Sequence, residues 1–113
     1  MASKTISIHA SPGAVVVSPE SAIVDTGTSV KWSLHMAGRK SGHIIGLEIK
    51  FNGPSPFGPT QALYATNVSN VDGTAHVEVD AGPAQTPGDY KYDVSITDAA
   101  EPLFDIDPYL VVK

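Results

Sequence analysis

Four histidines are the residues of this chain best suited to chemistry: His9, His35, His43 and His76. Imidazole binds zinc and copper, and His35 and His43 flank the short segment 36-MAGRKSG-42, whose folding back would bring them together. A Cu(II) or Zn(II) site built on His43 and His35 would need three or more nitrogen or carboxylate ligands in fixed geometry. His9 and His76 could join only by sharing one sheet edge. The plainer reading is four surface histidines and no cofactor. The segment 98-DAAEPLFDIDP-108 adds Asp98, Glu101, Asp105 and Asp107, oxygen donors of the kind Ca²⁺ takes, but without the D-x-D-x-D-G spacing of a calcium loop. It reads as a loop with Leu103 or Phe104 turned inward and its acids in water. Asp105 and Asp107 are the one carboxylate pair that could act as acid and base, and neighbouring loop carboxylates are usually just solvated. No G-x-S-x-G, H-E-x-x-H or phosphate-cradling glycine loop is present, and the chain is not expected to be an enzyme. It contains no cysteine, which removes disulfides, thiolate nucleophiles and thiolate metal sites together.

The elements that must carry these residues are strands. A chain of 113 residues forms one domain able to bury roughly two-thirds of its unfolded surface. No window holds a helical period, whereas apolar and polar residues alternate repeatedly. In 29-SVKWSL-34 the inward set is Val30, Trp32 and Leu34; in 43-HIIGLEIKF-51 it is Ile45, Leu47, Ile49 and Phe51. The pattern returns in 4-KTISIHA-10, 74-TAHVEVD-80 and 89-DYKYDVSIT-97, with 14-AVVVS-18 and 22-AIV-24 as short runs parted by Pro19 and 109-YLVVK-113 closing the chain. One-sided alternation implies antiparallel sheets with one face in a core. Seven or eight such strands make an all-β sandwich. The run 61-QALYATNV-68 fits a short helix or a strand equally well. Trp32, Ile45, Leu47, Val77, Tyr92 and Val94 are the expected core.

The net charge of −5 is uneven: residues 1–71 hold five bases and three acids, residues 72–107 nine acids and one base, Lys91. With no basic cluster beyond Arg39-Lys40, nucleic-acid binding is not expected. No run is long enough to span a membrane. The opening MASKTISIHA lacks an apolar stretch of signal-peptide length, so a cytoplasmic location is expected, with a secreted or periplasmic protein whose leader has been removed as the alternative. The proline-framed loop 52-NGPSPFGPT-60, with Phe57, followed by Tyr64 and beside Arg39 and Lys40, forms a candidate binding surface, since a stiffly held aromatic offers contact area at small entropic cost. Phe57 could instead plug one end of the sandwich. Asn67-Val68-Ser69 matches a glycosylation sequon.

The strand order resembles a cupredoxin. The glycine turn and inward aromatic of 25-DTGTSVKW-32, the histidine opening the next strand (His43), the strand 87-PGDYKYDV-94 and the final strand 108-PYLVV-112 carry the resemblance, which covers nearly the whole chain. It implies a Greek-key sandwich of cupredoxin topology, with an immunoglobulin-like sandwich as the alternative. Carried over residue by residue, the copper site fails. His43 stands at the first histidine ligand, but Val94 stands where the cysteine belongs, Thr97 where the second histidine belongs, and 98–108 contains no methionine. A blue copper site requires the thiolate. The resemblance therefore implies a scaffold without that site: a non-enzymatic binding or assembly module that engages a protein partner, or itself, through loops or a sheet edge.

Overall fold

The computed structural model describes residues 2–11, 13–18, 21–58 and 61–113. Among the described residues two sheets form a sandwich of ten strands, two or three more than the alternation alone suggests. The first sheet runs β2(Ala14–Ser18), β1(Ser3–Ser11), β4(Ser29–Met36), β7(Ala75–Pro83). The second runs β3(Ser21–Val24), β10(Tyr109–Val112), β8(Gly88–Asp98), β5(Ile44–Phe51), β6(Ala62–Val68), and β9(Glu101–Ile106) also pairs with β8. Most pairs are antiparallel, but β1 lies parallel to β4 and β3 parallel to β10. The sheets are thus mixed rather than purely antiparallel. Pro19, which separates β2 from β3 in the sequence, and Pro59 and Thr60 at the end of the proline-rich loop lie outside the described residues.

Alternation decides what is buried. Ile6 and Ile8 of β1, Val30, Trp32 and Leu34 of β4, Ile45, Leu47 and Ile49 of β5, and Tyr92, Val94 and Ile96 of β8 are all fully enclosed. Every residue expected in the core is there. Segment 61–68 resolves to a strand because Ala62–Val68 pairs with all of β5 from Lys50 to Ile44 without a register break; tertiary pairing overrides its ambiguous local preference.

One end of the core is aromatic. The Trp32 indole packs edge-on against Tyr92, Phe57 and Phe51, with centroid distances of 5.5, 6.0 and 6.4 Å. Its Nε1–H donates to the Tyr92 hydroxyl at 3.2 Å. Burial pushes the Tyr92 phenol up to about 12, against the opposing effect of that hydrogen bond. Phe57 is 5 % exposed, so it plugs this end and is not a surface anchor. Its ring turns inward against Trp32, where apolar burial outweighs exposure. Trp32→Ala should cost about 3–5 kcal/mol, read as a lowered midpoint in denaturant unfolding; an unchanged midpoint would contradict this packing.

Candidate functional site

The other end of the sandwich carries His43. Three segments meet there: loop 37–43 between β4 and β5, turn 69–74 between β6 and β7, and the end of β8. The loop is pinned by its backbone. Arg39 N–H donates to Gly73 O at 2.9 Å, Gly42 N–H to Ser69 O at 3.0 Å, and Ser69 N–H to His43 O at 2.8 Å. The buried Ser69 hydroxyl accepts from His43 N–H at 2.9 Å and donates to Lys40 O. Gly73 has φ of 84°, and a Cβ there would lie 2.6 Å from Arg39 O. Only glycine permits this approach.

Asp98, the last residue of β8, is only 5 % exposed. One carboxylate oxygen lies 2.7 Å from His43 Nδ1. The other accepts from Arg39 Nε at 2.9 Å and pairs with Arg39 Nη2 at 2.8 Å. Burial alone would raise the Asp98 pKa, but the hydrogen bonds from His43 and Arg39, with the Arg39 charge, outweigh it and hold the carboxyl below its ordinary value. Arg39 is therefore turned inward as a structural cation, and of the pair Arg39-Lys40 only Lys40 remains exposed.

The segment 98–108 is not a loop. β8 and β9 form a hairpin whose turn, Ala99–Ala100, has both residues at positive φ (51° and 69°), the pattern of a type I′ turn. Val94 lies in mid-strand between Ile49 and Ile106, fully buried. Thr97 pairs with Gly46 on the strand beyond it. Both positions aligned with copper ligands are thus ordinary ladder residues.

His35 does not join His43. Its ring lies on the outer face of the first sheet, between His9 of β1 and His76 of β7, which are its register partners on either side. The three rings stack nearly parallel, with centroids 5.3 and 4.5 Å apart. Strand register, absent from sequence spacing, makes this grouping. Burial, then the adjoining His76 and His9, push the His35 pKa below the usual imidazole value, with Glu78 opposing.

The acidic residues also divide. Asp105 and Asp107 meet Asp93 of β8, their ligand oxygens all within 4.8 Å of one another. Sequence reading missed Asp93 because it lies on a strand, beyond the presumed loop. A hydrogen bond with Asp107, then burial, then the charges of Asp107 and Asp105 raise the Asp93 pKa, while Lys91 lowers it. Glu101 is in β9 at the register position of Asp98.

Tyr64 is exposed on the outer face of β6, its hydroxyl 2.8 Å from where a Cβ on Gly46 would lie. It is separated from Phe57, so the expected common surface of Phe57, Tyr64, Arg39 and Lys40 does not form: two members are turned inward. The side-chain amide of Asn67 donates to His76 O at 2.8 Å.

Reduced rusticyanin superposes on the whole of this chain, with a TM-score of 0.52, 21 % identity and 81 % of its own length covered. Rusticyanin from Thiobacillus ferrooxidans gives 0.51 at 17 % identity, covering all of this chain and 79 % of that one. Auracyanin A, a "blue" copper protein from Chloroflexus aurantiacus, gives 0.51 at 17 % identity, covering 98 % of this chain and 99 % of that one.

The fold is cupredoxin-like.

No family model and no curated protein matches the chain. At these identities the likeness shows the fold alone. Without cysteine, this cupredoxin-like domain lacks the thiolate of a blue copper site.

Removing the carboxylate from between His43 and Arg39 in Asp98→Asn should cost about 1–3 kcal/mol. Because the folded pKa of Asp98 is depressed, its contribution is complete above the unfolded value of 3.8 and is lost as pH falls through the folded value. Urea unfolding of wild type and variant across acidic pH should show a gap that closes there; a gap independent of pH would contradict the ion-pair account.

Proposed function

We propose that the protein is a non-enzymatic assembly module, a cupredoxin-like domain without a blue copper site that binds a second copy of itself through the β6 edge. The observation that carries this reading is the composition of that edge. β6, ALYATNV, is seven residues long and contains no charge and no proline, and its pairing with β5 has no bulge. Among the described residues no strand is paired in a ladder on its other side, where β7 of the first sheet lies alongside and the Asn67 amide donates to His76 O. Natural edge strands are usually guarded by charge, proline, bulges or brevity. The other edges of this fold have such guards. β7 carries Glu78 and Asp80 and ends at Pro83, β9 contains Glu101, Pro102 and Asp105, and β3 has four residues. β2 is charge-free but shorter, at five residues, and lies between Pro12 and Pro19 in the sequence.

The outer face is also apolar at the Val68 end of β6, while Glu48 and Lys50 stand opposite Tyr64 and Ala62 further along. Ile44 and Val68 are register partners, 56 % and 52 % exposed, Tyr64 is 64 % exposed, and Val71 follows in the next turn. An unguarded strand is itself the strand that such an edge accepts. Pairing of β6 on β6 about a twofold axis would join two second sheets, with the same patch on both sides. Closure of the His43 end by Asp98 and Arg39 supports assembly over metal chemistry at that position.

Sedimentation velocity over a concentration series should show a species of twice the 11.8 kDa chain mass. Tyr64→Lys combined with Val68→Lys, both at exposed positions, should return the protein to monomer with its fold intact. A wild type that stays monomeric at its highest soluble concentration would refute the reading, as would a dimer that survives the double substitution.

A further inference from the structure

We infer that the outer face of the first sheet holds a site for a divalent transition-metal ion of the Zn(II) or Cu(II) class, with His35 and His76 as its first two ligands, His9 as a third imidazole and Glu78 as an oxygen ligand. This site is separate from the position of the family's copper and goes beyond the assembly proposed above.

The argument starts from register. β1, β4 and β7 are consecutive strands, and one row across them reads His9, His35, His76. The next row reads Ser7, Ser33, Glu78. All three histidines are exposed, and each stands between buried neighbours on its own strand (Ile8 and Ala10, Leu34 and Met36, Ala75 and Val77), so the pleat directs them outward. Three imidazoles in adjacent register positions are unlike a scatter of surface histidines.

Two of them already point at one spot. Nε2 of His76 lies 2.9 Å and Nε2 of His35 3.3 Å from the hydroxyl oxygen of the buried Ser33. Glu78 Oε2 is 3.7 Å from the same His76 nitrogen and 3.1 Å from Lys31 Nζ. The donor set is therefore nitrogen-rich with one carboxylate and no sulfur. That suits Zn(II), Cu(II) or Ni(II) and disfavours Mg²⁺ and Ca²⁺, which prefer all-oxygen sites. Zinc–nitrogen bonds of about 2.0–2.1 Å require the ring nitrogens to converge more closely than parallel stacked rings allow. The exposed rings have room to swing about their side-chain bonds, and Glu78 can leave Lys31, an exposed partner that holds it weakly.

Isothermal titration of tag-free protein with Zn(II) alone and with Cu(II) alone tests the site, with electron paramagnetic resonance of the Cu(II) form as a second readout. The expected result is one ion per chain and a copper spectrum showing coupling to imidazole nitrogen. His35→Asn and His76→Asn should each weaken binding about tenfold or more. Thermal melts of the two variants, at exposed positions, should show that they remain folded. Binding lost in His43→Asn but retained in His35→Asn would overturn the assignment. So would weak uptake of several ions that no single histidine substitution changes, or no binding at all.

Discussion

The carboxylate of Asp98 is the constraint around which one end of this sandwich is organised. A buried carboxylate without partners is costly, and removing either donor would leave that cost unmet. His43 and Arg39 meet it from two directions, and both belong to the loop between β4 and β5. Asp98 itself ends β8. The interaction therefore ties the loop that leaves the first sheet to the hairpin that ends the second. Ser69 and Gly73 complete the closure from the third segment, through backbone bonds that need a buried hydroxyl and a residue without a side chain.

This arrangement gives a physical account of how a cupredoxin-like fold persists without cysteine. The β8–β9 segment continues as a paired hairpin, and its carboxylate gathers the histidine at the head of β5. The fold's two ends are held by different physics. At one, Trp32, Phe51, Phe57 and Tyr92 bury large aromatic surfaces with a single internal hydrogen bond. At the other, charge and hydrogen bonding fix three segments together.

Much of the fold was legible in the alternation. Trp32, Leu47 and Val94 could be assigned inward because their neighbours Lys31, Glu48 and Asp93 are charged. β9 was not legible: EPLFDI contains a proline and alternates poorly, and only pairing with β8 makes it a strand. Phe57 sat in a proline-rich stretch whose direction no local rule fixes. The histidine row was hidden for another reason. His9, His35 and His76 become neighbours only once β1 is known to lie parallel to β4, a long-range pairing that sequence spacing does not express. Asp98 looked like one solvated acid among four, and its burial follows from its place at the end of an inward-facing register.

Native-state hydrogen exchange on wild type and Asp98→Asn tests most directly whether this carboxylate is the fastening of its end of the sandwich. The account predicts faster exchange at the amides of Arg39, Gly42, Ser69 and Ala99, all hydrogen-bonded around it, with the Trp32 region unchanged. Unaltered exchange at those four amides, or an equal rise throughout both sheets, would contradict it.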